Sequence, residues 1–197
     1  MGKAGQTGVS KQTPDKIMFG AGTIHRNLLL DLSNLETSIV GATKEGSGIT
    51  FTPNFYQIQP DGALVAVKGL RRKVGETAIM KVKFLEVDPQ IWKNSLIAQF
   101  GDSEVEGYAV LDSKSDVEDE DYLDNIAFVG KTLGGYDIIA ILPNALCTTG
   151  LNIETTNAEE WAGEHEFECH AGLEDDLTKL PWKIYTNDPA FVELASN

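Results

Sequence analysis

The segment GATKEGSG, from Gly41 to Gly48, carries the first half of a phosphate-cradling loop: a glycine, four residues and a second glycine, after an apolar-leaning SIV that suits a strand. Such a loop holds phosphates on backbone N–H groups, but it also needs a lysine after the second glycine and then Ser or Thr for magnesium. Ser47 and Gly48 stand in those two places, and the residues behind them, ITFTPNF, alternate as a strand does instead of opening a helix. Gly41, Gly46 and Gly48 are therefore read as geometry. They free the backbone for a turn between two strands.

Other chemistry-bearing residues fall short in similar ways. HEFECH, from His165 to His170, sets two histidines five apart on a strand-like segment, which sends them to opposite faces and away from a shared metal. His25, His165 and His170 are the only imidazoles, and no serine or cysteine sits in a nucleophile elbow. The run DSKSDVEDED offers hard carboxylate oxygens but lacks the alternation and central glycine of a calcium loop, so Asp116 to Asp121 is read as solvated. Trp92, Trp161 and Trp182 have the rings that sugar binding uses, yet Trp92 fits better as the core anchor of a helix and the others lie beside turns. No catalytic, cofactor or metal site is expected, and the chain is not expected to be an enzyme.

The bulk properties narrow the classes further. A chain of 197 residues suits one main domain with a substantial core. No apolar run approaches the twenty residues of a membrane span, and the N-terminus lacks the apolar region of a secretory signal, so the protein is expected to stay where it is made. Cys147 and Cys169 suit core packing in a reducing cell better than a disulfide framework. Thirty acidic residues against sixteen basic give a net charge of −14, and Arg71-Arg72-Lys73 is the one short basic knot, which disfavours nucleic-acid binding.

The positioning elements are mostly strands. Ile49, Phe51 and Phe55 alternate with polar residues, Asp61-Gly62 marks a turn, and LVAVKGL reads as a further short strand. In ETAIMKVKFLEV, Met80, Val82 and Phe84 share one face and Lys81 and Lys83 the other. Asp88 then Pro89 announce a helix over residues 89–100, with Ile91, Trp92, Leu96 and Phe100 apolar and Gly101 ending it. Beyond the acidic stretch, YLDNIAFVGKTL, GYDIIAILPNALC, CTTGLNIETTN and GEHEFECHAG follow as an antiparallel meander. In the last of them Glu164, Glu166 and Glu168 line one face, and His165, Phe167 and Cys169 the other. The expected architecture is mainly β: an antiparallel β-sandwich or partly closed barrel with one flanking α-helix. Residues 1–16 read as a flexible N-terminal arm, 17–180 as the β domain and 181–197 as a C-terminal extension.

Taken in order, KIMFGAGTIHRNL, the stretch from GATKEGSG through the extended Pro-Phe segment, the Asp-Gly turn, KGL and KVKFLEV, the DPQ helix, and the run ending GEHEFECHAG before PWKIY resemble the tail tube (major tail) proteins of long-tailed bacteriophages. The likeness spans Lys16 to about Tyr185 and lies in order and spacing. Glu45, where a second glycine is expected, and the long acidic stretch from Asp102 to Asp124 depart from it. The resemblance implies a phage tail-tube-like subunit, six of which close into a ring whose inner strands form a continuous barrel. Rings then stack into a tube, with other tail proteins as further partners. Viral DNA passes through the lumen without specific binding, and the protein is placed in the virion after synthesis in the bacterial cytoplasm. Glu164, Glu166 and Glu168, with Glu154 on the preceding strand, become candidates for an acidic lumen wall, and the small residues Gly41, Gly46 and Gly48 become a candidate turn for close contact with a neighbouring subunit. A solvated exterior face fits the same alternation. The inner tube of a contractile tail or tail-like bacteriocin shares the subunit architecture, and a β-sandwich carbohydrate- or receptor-binding module is the reading from another class.

Overall fold

The computed structural model describes residues 8–11, 13–18, 20, 22–155, 157–158 and 160–196. Residues 1–7 and 12 of the expected N-terminal arm lie outside them. The chain runs α1 (Thr13–Lys16), β1 (Thr23–Arg26), β2 (Thr43–Gln57), β3 (Arg71–Phe84), α2 (Pro89–Leu96), β4 (Ala98–Gly101) and β5 (Val110–Ser113). It continues through a 3-10 turn (Asp119–Asp121), β6 (Leu123–Lys131), β7 (Asp137–Cys147), β8 (Gly163–Cys169), β9 (Lys183–Thr186) and α3 (Pro189–Ala195). The protein is mainly β and its strand pairs are antiparallel, as expected.

The principal sheet has the order β1-β6-β7-β8-β3-β2, with β9 joined to β7. One edge of β7 pairs with β6. Its other edge is shared, with β9 at Ile138 to Ile141 and β8 at Ala145 to Cys147. This fork lets β8, β3 and β2 fold back over the inner face of β6 and β7. Period-2 alternation then sends Met80, Val82, Phe84 and Phe167 inward against Ile126 and Leu142. Phe51 of β2 meets Trp182, just before β9, at a ring-centroid distance of 4.6 Å. Beside this contact the two layers gape into an apolar cleft of about 290 Å³ lined by residues that include Met18, Ile49, Ile138 and Ile184. The sandwich is thus a barrel with one open seam. A smaller core of Leu28, Ala127, Ile139 and Ile141 lies on the opposite face of β6 and β7, with Leu35 packed against it.

Helix α2 starts where Asp88-Pro89 places it. The Asp88 carboxylate accepts from the Ile91 backbone N–H at 2.8 Å and from Arg26 at 2.8 Å. The helix ends earlier than residue 100: Leu96 is its last residue, and Ile97 turns left-handed at φ 49° with its N–H bonded to the Asn94 carbonyl. Residues 98–101 instead pair with 110–113, so the acidic stretch supplies a strand partner that outcompetes further helical turns. The helix is anchored by the fully buried Ile91; Trp92, expected in that role, is half-buried and meets Trp161 edge-on at 5.9 Å.

Two further expectations change. LVAVKGL is not a strand: residues 58–70 form the loop that joins β2 directly to β3 in one long hairpin. Among its described residues CTTGLNIETTN does not add a strand either. After Thr148, which donates to the Glu166 carbonyl, Gly150 adopts φ 70° and turns the chain away from β8, and the Trp161 indole holds the Asn152 carbonyl at 3.0 Å. Toward the two ends of the chain, Leu133 donates to the Ile17 carbonyl, and β9 adds residues 183–186 to the main sheet.

Candidate functional site

The inward pull of Phe167 and Met80 fixes what the opposite face of β8 and β3 displays. Glu164, Glu166 and Glu168 point outward together, as their alternation predicts. The register sets Glu166 opposite Lys81 and Glu164 opposite Lys83. The Lys81 ammonium donates to Glu166, and the Lys83 ammonium donates to Glu45 at 2.6 Å. Hydrogen bonding to Glu166 raises the Lys81 pKa, with the Glu166 and Glu164 charges adding to it. Hydrogen bonding to Glu45 raises that of Lys83, and the same bond lowers the Glu45 carboxyl. The face is therefore a ladder of acids and lysines, continued across β2 by Thr50 and Thr52, and not a purely acidic wall.

The glycine segment meets this ladder. Glu45 and Gly46 adopt φ 61° and 80° where the β2–β3 register shifts between Thr43 and Ser47. The glycines thus form a bulge inside a strand instead of a turn between two strands, because β3 is long enough to pair on both sides of it. Gly48 is an ordinary strand residue opposite Lys81, and Gly41 lies before β2, close against the Glu86 side chain. The bulge re-aims Glu45 toward Lys83. Gly46, Gly48, Lys81, Lys83 and Glu164 line one open depression of about 340 Å³. Glu154 is absent from this group; it lies in the loop after β7 and accepts from the Asn152 side chain at 3.3 Å. Glu45, Lys81 and Lys83 complete the site, and the strand alternation that placed the lysines on the outer face was the signal available for them.

Gly46→Val is expected to cost about 1–2 kcal/mol, because a β-branched residue is forced into a left-handed backbone. The cost is strain and not a clash, since no atom lies within 4 Å of the position a Cβ would occupy. Urea denaturation checks it, and a variant as stable as wild type contradicts the bulge.

The remaining chemically competent groups are committed to the interior. His165 bonds the Ser95 hydroxyl at 2.9 Å, and that hydroxyl donates onward to the Ile91 carbonyl at 2.7 Å. His25 bridges Thr23 and Ser38 at 2.7 and 2.9 Å. Burial lowers the pKa of both histidines. Burial, followed by nearby carboxylates, pushes the Cys169 thiol up to about 12. His170 sits beyond β8 with its ring edge-on to Tyr122, so the two histidines of HEFECH do occupy different surroundings. Among the described residues no three His, Cys, Asp or Glu side chains converge as metal ligands, and no helix is long and apolar enough to cross a membrane.

The acidic run is not a solvated loop throughout. Asp121 is fully buried, and the Lys114 ammonium sits among Glu118, Glu120 and Asp121 at 2.8, 3.1 and 3.0 Å. A lysine thus supplies the cation that these carboxylates surround. No protein-family model matches the chain, and no curated protein is significantly similar to it.

Proposed function

We propose that this chain is a self-assembling structural protein, the tail tube subunit of a long-tailed phage, whose copies close into rings and stack into a conduit for DNA. One observation carries the reading: the sheet ends on β2, fifteen residues long, whose outer edge has no strand partner among the described residues. The opposite end differs, because β1 is covered by residues 38–40 through Arg26 N–H to Ser38 and Val40 N–H to Ile24. A long uncovered edge is an aggregation hazard in a monomer, and pairing with the next subunit removes it. The open seam beside β2 gives that neighbour an apolar surface to cover.

In this reading the outer face of β8 and β3 lines the lumen. Three glutamates on β8 against two lysines on β3 leave it net negative, which repels the phosphate backbone and keeps passing DNA from sticking. Negative-stain microscopy and sedimentation of concentrated protein test the proposal. Six-fold rings or tubes are expected, and a monomer at every concentration overturns it.

A further inference from the structure

Two exposed arms are rooted at opposite ends of β3 and carry opposite charge. The first is the outer half of the β2–β3 hairpin with its loop. Between residues 57 and 75 it holds Lys68, Arg71, Arg72 and Lys73 against Asp61 alone, in a chain of net charge −14. Its apolar side chains face solvent, with Leu64 93% and Val65 72% exposed and Tyr56 on β2 also exposed. The second is the β4–β5 hairpin, which leaves the end of α2. Between residues 98 and 113 it holds Asp102, Glu104, Glu106 and Asp112 and no lysine or arginine. It too is apolar at the surface, with Tyr108 72% exposed and Phe100 and Val105 outward.

The roots lie far apart. α2 packs at the Phe84 end of β3, where Ser95 reaches His165, which pairs with Val82. The loop of the first arm begins beyond Arg71, the other end of a fourteen-residue strand, a run of about 45 Å. Among the described residues no ion pair joins the arms, and Lys68, Arg71 and Arg72 have no carboxylate partner, just as Asp102, Glu104 and Glu106 have no cation. Arg71 stacks on the Phe55 ring at 5.5 Å and Arg72 donates to the Gly69 carbonyl, so both guanidinium groups are held at the arm's surface.

We infer that the two arms are the halves of one axial contact between copies of this chain: the basic, apolar β2–β3 arm of one subunit packs on the acidic, apolar β4–β5 arm of the next. The inference rests on the self-assembly proposed above and assigns its stacking surfaces. Two different patches at opposite ends make a heterologous contact, which does not close on a pair and propagates as a stack. Charge opposition fixes polarity, since basic meeting basic or acidic meeting acidic is repelled. The apolar side chains supply the buried area. The strand-prone segment from Leu64 to Val67, unpaired in a single subunit, gains a partner surface in the stack.

Reversing charge on each arm tests this. Arg71→Glu with Arg72→Glu, and separately Asp102→Lys with Glu104→Lys and Glu106→Lys, are each expected to raise the concentration needed for stacking by about tenfold or more, and to leave ring formation and Tm unchanged. Combining both sets in one chain is expected to restore stacking to near the wild-type concentration. Wild-type stacking is also expected to weaken as salt rises from 50 to 500 mM, by about tenfold, which needs no variant. If wild type forms tubes and both single-arm variants form them as readily, or the tubes are indifferent to salt, the arm contact is overturned and the tube reading stands. If wild type never assembles, the tube reading and the arm contact fall together.

Discussion

Replacing Phe167 with alanine is expected to lower stability by about 3–5 kcal/mol and the Tm by roughly 6–20 °C. The side chain is fully buried in β8, pairs across the strands with Met80, and lies 6.3 Å from the His165 ring. It stands where the folded-back layer of β8 and β3 meets β6 and β7, and β7 pairs with β8 over only Ala145, Leu146 and Cys147. Side-chain packing must therefore hold the layers together where few ladder hydrogen bonds do, and a cavity there is poorly placed to collapse. Against a typical net stability of about 5–15 kcal/mol, a loss of that size leaves little in reserve. Glu168→Gln, one residue along on the outer face, is the control and is expected to change stability by less than about 0.5 kcal/mol. Chemical denaturation of the two variants separates them, and a Phe167→Ala cost below about 1 kcal/mol contradicts the two-layer packing. Because ring closure requires an intact sheet, the same variant is expected to lose assembly in proportion to its unfolded fraction.

The sequence made the site's outer face legible because the rule behind it is local. Alternation over residues 76–84 and 163–169 leaves no freedom: once Met80 and Phe167 are buried, Lys81, Lys83 and the three glutamates must face the other way. Asp88-Pro89 was legible for the same reason, since a helix start is set by two adjacent residues. What stayed hidden depended on distant partners. Residues 98–101 fit the period of a continuing helix, and only the return of 110–113 makes them a strand. Residues 64–67 and 151–155 have strand-like composition but no strand partner among the described residues. The bulge at Gly46 required knowing that β3 extends far enough to pair on both sides of it. Asp121 gave no sign of burial in a run of acids; the lone Lys114 among them was the available signal. Its meaning appears only when the 3-10 turn folds back so that Asp121 accepts from the Glu118 N–H at 2.8 Å.

Lys114→Met is expected to lower the Tm by about 10 °C at pH 8, and the loss is expected to shrink on acidification. The wild-type ammonium pairs with Glu118, Glu120 and the buried Asp121 together, and its side chain is only 6% exposed. Methionine fills a similar volume but leaves those carboxyl groups facing one another, with the buried Asp121 deprived of the ammonium beside it. Hydrogen bonding to Glu118 raises the Lys114 pKa, so its contribution is complete below the ordinary lysine value and is lost only as pH rises through the raised one. Hydrogen bonding to Lys114, and then to Lys93, lowers the Glu120 carboxyl. Its contribution is present above the ordinary carboxylate range and is lost as pH falls through the lowered value. Wild type is thus expected to lose stability from this cluster between about pH 5 and pH 3, whereas the variant gains relative stability there as protonation relieves the repulsion. Thermal melts of both proteins at pH 8 and pH 4 check the narrowing, and a Tm gap that stays constant between them rejects the ammonium as the cluster's cation. The same cluster braces the base of the β4–β5 arm, because Lys114 N–H bonds the Ile97 carbonyl where that arm leaves α2. Stacking by Lys114→Met is therefore expected to suffer at protein concentrations and temperatures where the fold itself survives.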